Sequence, residues 1–285
     1  MSDAQFVNTL SGINKSKHVK KPGAFVKHFL WQIRKLFNLF PFEITVSNSK
    51  IIAEDKNCGV CALANCMGMY DYNIMNLIKL LSERETYFFD VGANIGLYSL
   101  LAAENSNVNV ISFEPHPKTF RQLERNINLN KRQNIKTFNV ALGKEEGEIQ
   151  FTDFPESSIN RIANESDKNT ITIKVRRGSK ICDELNLIPS FIKVDVEGFE
   201  FDVLQGFGEK LAGIKLIILE FGELNLRNHN KISMFMKQNN FAGPFNFSDR
   251  DMSFTHKLRK TEENVVFVNE NFRPYFEKNY RIIFK

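Results

Sequence analysis

The sequence predicts an α/β protein, a mainly parallel sheet with helices on both faces, and three observations predict it. Short runs rich in β-branched and aromatic residues recur, namely "TYFFDV", "VNVISFE", "IKTFNVAL", "FIKVDV" and "IKLIILEF". Amphipathic stretches separate most of them: "LYSLLAAEN", "PKTFRQLERNINLN" and "EFDVLQGFGEKL". Strands alternating with helices of this kind build right-handed βαβ units in three layers. The chain end breaks the rhythm, because no helix clearly separates "FAGPFNF" from "NVVFVN" (264–269), so an antiparallel strand closes the sheet.

Taken in order, residues 1–69 form a basic extension ahead of the α/β body at 70–285. Residues 1–23 are polar and basic, end in Pro22-Gly23 and read as a flexible tail. Over residues 24–40, Val26, Phe29, Leu30, Ile33, Leu36, Phe37 and Phe40 fall on one helical face, and Lys27, His28, Arg34, Lys35 and Asn38 on the other. Such a helix docks its apolar stripe on its own domain or lies in a membrane interface. "EITVSNSKIIAE" (43–54) reads as a hairpin turning at Asn48-Ser49. "NIMNLIKLLSE" (73–83) reads as a helix with Asp71 or Asn73 as its cap. Residues 152–180 are polar and read as an irregular loop over the active face. "HNKISMFMKQN" supplies a helix before the closing strands.

Composition narrows the function classes. Of 285 residues, 42% are hydrophobic and 25% charged, enough for a substantial core. No run of ~18 apolar residues exists to span a bilayer, and the polar start lacks a signal-peptide core, so a cytoplasmic location is expected. The net charge of +5 is uneven, with seven cations against Asp3 in residues 1–42 and a net −1 on the rest. The body is therefore not expected to bind nucleic acid. Cys58, Cys61, Cys66 and Cys182 lack a second closely spaced pair, so free buried thiols are expected rather than structural zinc.

Ligands of open α/β sheets gather at the carboxyl ends of the strands. The first such end reads Asp90-Val91-Gly92-Ala93-Asn94-Ile95-Gly96, and the second ends in Glu114, followed by Pro115 and His116. Gly92 and Gly96 allow a sharp turn and close approach to a ligand. Glu114 can accept hydrogen bonds from a ribose diol. The dinucleotide pattern G-x-G-x-x-G is absent, since Asn94, Leu97 and Tyr98 stand where glycines would help, and there is no Walker-type Gly-Lys-Ser/Thr. A G-x-N-x-G turn preceded by an acid suits a nucleoside cofactor without phosphates. S-adenosylmethionine is one, with its amino group near Asp90, its ribose at Glu114, its methionine portion near Tyr98, and its adenine at Asn139, Val140 and Ala141.

"FFDVGANIGLYSLLAA", "ISFEPHPKTFRQLERNINLN", "NVALG", "FIKVDVEGFEFDVLQG" and "IILEF" occur in the order found in the FkbM family of S-adenosylmethionine-dependent O-methyltransferases, which residues 70–225 resemble. The resemblance implies a Rossmann-like methyltransferase fold, with a seven-stranded sheet and an antiparallel closing strand. It also implies methyl transfer to a hydroxyl, often of a sugar or natural product, so a small-molecule or glycan acceptor is expected.

Lys193, Asp195 and Glu197 alternate where the fourth strand ends, which turns them to one side. In the implied fold this end faces the reactive methyl. Asp195 is the candidate base or positioning group for the acceptor hydroxyl. Glu197 supports it or shares the hydroxyl or a divalent cation, and Lys193 depresses a neighbouring carboxylate. Two acids beside a diol leave metal use open, although no metal motif is present. Glu220 is a weaker acceptor contact, and Glu200 reads as an acid at a helix N-terminus. An RNA or protein methyltransferase and a non-catalytic binding protein retaining the fold are the alternatives; a nicotinamide oxidoreductase is remote for want of the glycines.

Overall fold

The computed structural model describes residues 13, 19–56, 58–69, 71–155, 159–221, 228–256 and 264–285. The expected tail therefore lies outside the described residues, apart from residue 13 and those from 19 onward. A helix, α1 (Lys21–Leu36), leads into a hairpin of β1 (Phe42–Val46) and β2 (Ser49–Ala53), then α2 (Gly59–Met67) and α3 (Tyr72–Ser82). The body continues with β3 (Tyr87–Val91), α4 (Leu97–Ala102), β4 (Asn109–Phe113), α5 (Pro117–Leu129) and β5 (Ile135–Phe138). Next come the short β6 (Ala141–Leu142), β7 (Gly147–Thr152), β8 (Thr170–Arg176), α6 (Gly178–Leu185), β9 (Phe191–Val194) and α7 (Glu200–Phe207). The chain ends with β10 (Leu216–Glu220), α8 (His229–Gln238), β11 (Phe241–Ser248), β12 (Ser253–Thr255), β13 (Asn264–Asn269), α9 (Arg273–Tyr280) and β14 (Ile283–Phe284).

The main sheet runs β14-β12-β11-β13-β10-β9-β3-β4-β5 among the described residues. From β5 through β10 all pairs are parallel, and β13 inserts antiparallel between β10 and β11, closing the sheet as the sequence predicts. Seven strands, β5 to β11, give the Rossmann-like order with an antiparallel closing strand; β12 and β14 extend that edge. Successive residues face opposite layers. Phe88, Val110, Phe191, Ile218 and Val266 pack on a core shared with Trp31, the hairpin and α3 to α5. Phe89, Ile111, Ile192, Ile217 and Phe267 pack against α6, α7 and α8. Strands buried on both faces read as unbroken apolar runs, which is why they were legible.

Four expectations need correction here. The hairpin turns at Ser47-Asn48, one residue early, because Val46 pairs with Ser49 and Ser47 takes the left-handed conformation (φ +52°). Residues 152–180 are not one irregular loop, since β8 pairs antiparallel with β7 and parallel with β6 in a separate three-stranded sheet. Ile173 and Val175 are its buried side, and Thr172 and Lys174 alternate outward. Asp71 stands at the cap position of α3 without capping it, its carboxylate instead accepting from Tyr98 Oη (3.2 Å) and Asn264 Nδ2 (3.0 Å). Cys58 and Cys61 form a disulfide, which removes the only closely spaced pair from any zinc site. Cys66 and Cys182 are buried free thiols, and burial pushes both up to about 11.

Helix α1 departs most from its projection. It starts at Lys21, with Pro22 tolerated in the first turn where no backbone donor is needed. It docks through Ala24, His28 and Trp31, and Trp31 meets Phe40 and Phe42 edge-on at centroid distances of 5.4 and 5.5 Å. Most of the predicted apolar stripe faces outward, with Val26 59%, Phe29 65%, Leu30 50%, Leu36 78% and Phe37 66% exposed, whereas Ile33 and Phe40 are half-buried and Phe40 packs on Trp31.

Candidate active site

The parallel register lays Asp90 of β3 beside Lys193 of β9 on one side and Ser112 of β4 on the other. Asp90 is buried, and one of its oxygens accepts from Ser99 Oγ, itself 2.8 Å from Ser112 Oγ. Burial pushes this carboxyl up, against the pull of Lys193 and Ser99. Asp90 thus lies beneath the loop that follows it, rather than at its surface. Lys193 is also buried; burial alone would lower it, but Asp195 and Asp90 outweigh that and hold the ammonium charged. Its Nζ donates to Asp195 Oδ2 (2.5 Å) and stands 4.3 Å from the Tyr98 ring centroid, a cation–π contact. A buried lysine at a strand end is costly unless paired, and both partners are acids the sequence singled out.

Asp195 opens the other way. Its side chain is 30% exposed while that of Lys193 is 1% exposed, so the pair presents a carboxylate to solvent and hides its counter-ion. Burial works to raise Asp195, yet the Lys193 charge and hydrogen bonds from Lys193 and Glu220 hold it below the usual carboxylate range. Glu220, at the end of β10, goes the opposite way. Burial first, then the charges of Asp195 and Glu197, push it up to about 10. Two carboxyls this close cannot both ionise freely, so Glu220 keeps its proton at neutral pH and donates it to Asp195. Asp195, Glu197 and Glu220 offer oxygens within 4.8 Å of one another, a spacing that a divalent cation fits only if Glu220 gives up that proton.

Glu197 sits in this group through strained backbone. It is left-handed (φ +53°) and followed by Gly198 at φ +104°, a turn that throws its side chain back toward Asp195 and Glu220. Glu200 holds the turn. It is the buried first residue of α7, and its Oε1 accepts from Val196 N (3.1 Å) and Gly198 N (3.2 Å). Its role is therefore to clamp the loop carrying Glu197, more than the dipole contact expected of it.

The glycine turn serves the protein's own packing. Gly92 has φ +82°, and a Cβ there would lie 1.8 Å from the Asp195 carbonyl oxygen. The absent side chain lets β9 close against β3, where Asp195 N donates to Val91 O (3.0 Å). At Gly96 (φ +92°) a Cβ would instead meet the Leu123 side chain, 2.6 Å from its Cδ1. Both glycines were read as room for a ligand; at Gly92 the space belongs to the loop carrying Asp195. The N–H groups of Gly92 and Ala93 share the Phe113 carbonyl (3.0 and 2.9 Å).

Glu114 faces the same turn. Its Oε2 accepts from Asn94 N and its Oε1 from His116 N, each at 2.9 Å. Burial pushes the carboxyl up to about 7, with those two donors pulling against it. Asn139 is exposed and its amide donates to the Glu114 and Pro115 carbonyls (2.8 and 3.0 Å), so it braces this loop, beside half-buried Val140 and Ala141. His116 caps α5 through Nδ1 and pairs with Asp153 through Nε2 (3.0 Å). A shallow cleft adjoins this end of the site, lined by Ile52, Cys58, Ile95, His116 and Phe154 among others, and not by the Asp195 group.

The structure thus joins the predicted residues into two clusters at the carboxyl edge. Lys193, Asp195 and Glu197 gather with Asp90 and Tyr98, while Glu114, Asn94, Pro115 and Asn139 form a second group across the glycine turn. Sequence reasoning underrated Glu220 and missed Ser99, Ser112 and the clamp at Glu200. Only Glu220 carried a signal, as an acid ending a buried strand. Lys193→Met strands Asp195 and Asp90 without their cation and is expected to cost about 3 kcal/mol, as loss of one partner of a buried pair does. Glu220→Gln keeps a donor toward Asp195 and should cost under about 1 kcal/mol. Thermal melts of the two variants check this ordering.

Residues 90–242, more than half of the chain, match the Methyltransferase FkbM domain. A hexuronic acid methyltransferase of Haloferax volcanii, AglP, is 28% identical over 151 residues, which are 53% of this chain and 62% of that protein. A methyltransferase of Beauveria bassiana is 26% identical over 149 residues, 44% of this chain and 60% of that protein. The matched region spans about three-fifths of the length of these curated relatives. Among solved structures, the precorrin-6y C5,15-methyltransferase of Geobacter metallireducens aligns with a TM-score of 0.41 and 12% identity, over 68% of this chain and 85% of that one. At that score it adds nothing to the strand order already described. The extent of the domain match is decisive: this chain belongs to the FkbM methyltransferase family.

Proposed function

We propose that the protein is an S-adenosylmethionine-dependent O-methyltransferase whose acceptor is a sugar hydroxyl of a polysaccharide, glycolipid or related natural product. The observation that carries the reading is the Asp195 carboxylate, held ionised by buried Lys193 and protonated Glu220 and open to solvent across the turn from Glu114. The second cluster is the cofactor site of this proposal. Glu114 is fixed by two backbone donors, and each of its oxygens retains a lone pair for a ribose hydroxyl. Bound there, S-adenosylmethionine supplies a methyl group on a cationic sulfur, the electrophile of an in-line displacement.

The chain's own residues manage the acceptor. Asp195 accepts a hydrogen bond from the hydroxyl, orients its oxygen and takes its proton as the new C–O bond forms. Lys193 keeps Asp195 anionic beforehand, and Glu220 holds the other side of the carboxylate through its donated proton. Glu197 is placed to hold a neighbouring hydroxyl of a diol. The sugar class is supported by the hexuronic acid methyltransferase among the relatives. Incubation with cofactor and a panel of uronic acid and neutral glycosides, read by mass spectrometry, tests the class. A singly methylated glycoside is the expected product; methylated RNA or protein with untouched glycosides would favour the alternative.

Glu114 also sets a pH dependence. A ribose diol donates to its ionised form, so the bound state favours charge while the free carboxyl titrates at about 7. Affinity for S-adenosylhomocysteine should therefore be flat above pH 7 and weaken as pH falls below it, by up to about tenfold per unit. Glu114→Gln should remove the dependence as well as weaken binding, and titrations across this range measure both.

A further inference from the structure

We infer that the outward face of α1 is a docking surface for an anionic lipid bilayer, an interaction that does not rest on the methyltransferase reading. The helix is turned inside out for a globular protein. Ala24, His28 and Trp31 hold it to the body, and directly opposite them lie Val26, Phe29, Leu30, Leu36 and Phe37, each at least half exposed. Leu39 continues the stripe at 51% exposure. Exposed single hydrophobics are ordinary, but six large ones within fourteen residues of one helix and its following turn form a contiguous apolar surface.

The charge around the stripe identifies its occupant. Lys20, Lys21, Lys27, Arg34 and Lys35 lie between residues 19 and 42, and this segment contains no acid. Lys20, Lys21 and Lys27 are exposed, and Lys27 and Arg34 share one shoulder of the stripe, Arg34 above the Phe42 ring at 4.1 Å. A second copy of the chain would satisfy the apolar residues but set like charges against each other. An anionic headgroup layer satisfies both at once. Apolar side chains enter the acyl boundary while lysines reach the phosphates, so each cation adds to the attraction for an anionic surface. The interaction is peripheral, since no helix among the described residues is long and apolar enough to cross a membrane. The N-terminal segment does not supply the cover where it is described, because Ile13 packs on the inner side, against Ala24 and Cys66.

The test is co-sedimentation of the full chain with vesicles of phosphatidylcholine alone or mixed equally with phosphatidylserine, beside the triple variant Phe29→Glu, Leu30→Glu, Phe37→Glu. These positions are exposed, so the melting temperature should hold and serves as the folding control. Wild type should partition at least tenfold better onto the mixed vesicles than onto phosphatidylcholine, with added salt reducing binding, and the triple variant should lose at least tenfold. Equal partitioning of wild type and variant would overturn the inference, as would no binding by a folded wild type. Sedimentation equilibrium covers the rival occupant: a wild-type dimer that the triple variant converts to monomer, without lipid binding, assigns the face to a second copy and overturns it too.

Discussion

Asp195→Asn should lower turnover by about 10²–10⁴-fold, the range attributed to a positioned acid or base, and leave affinity for S-adenosylhomocysteine within a few-fold. The amide keeps the size of the side chain and an oxygen for the Lys193 ammonium, so the fold should survive. It cannot accept the hydroxyl proton. The loss should fall on kcat more than on KM, because the acceptor's other contacts are untouched. Circular dichroism and a thermal melt show whether the variant is folded, and initial rates with a saturating acceptor give the effect. A folded Asp195→Asn enzyme with unchanged turnover would remove Asp195 from the chemistry and leave the clustered acids a structural feature.

Gly92→Ala is expected to be the most destabilising single change near the site. A methyl group would stand 1.8 Å from the Asp195 carbonyl oxygen, at a φ of +82° that L residues avoid. The backbone term costs roughly 1–2 kcal/mol, and relief of the clash adds roughly 1–3 kcal/mol. Together they should lower the melting midpoint by about 10 °C in a chain of this size. Gly68→Ala is the control, since Gly68 has φ +70° but open space where its Cβ would lie. The difference between the two variants isolates the contact between the glycine turn and the loop carrying Asp195. Equal destabilisation would mean that β3 and β9 do not approach there as described.

The contrast between these glycines shows what a sequence can and cannot carry. Gly92 announces a positive φ, but nothing in the chain says whether the freed space serves a ligand or another strand. The parallel strands were legible because burial on both faces makes their residues apolar throughout; even Lys193 stood out as an interruption. Strand β8 of the three-stranded sheet was not, because it is half buried and its polar alternate residues read as loop. The amphipathic face of α1 was visible, but its direction was not. Periodicity specifies which residues share a face, whereas tertiary contacts of His28 and Trp31 decide which face is covered. Within the site, the acids at strand ends were readable one by one. Their coupling was not: the proton on Glu220 depends on three carboxylates converging from the turn after β9 and the end of β10, a distance relation with no sequence spacing. The clamp at Glu200 was hidden for a similar reason, since an acid at a helix start is unremarkable until its burial is known.

Calorimetric titration of S-adenosylhomocysteine into the wild type and Glu114→Ala decides whether Glu114 holds the cofactor. Two charge-assisted hydrogen bonds of about 1.5–3 kcal/mol each rest on that carboxylate. Saturable micromolar binding is therefore expected, and Glu114→Ala should weaken it at least a hundredfold in a protein that stays folded. Absence of binding by a folded wild type, or equal affinity in the two proteins, would contradict it.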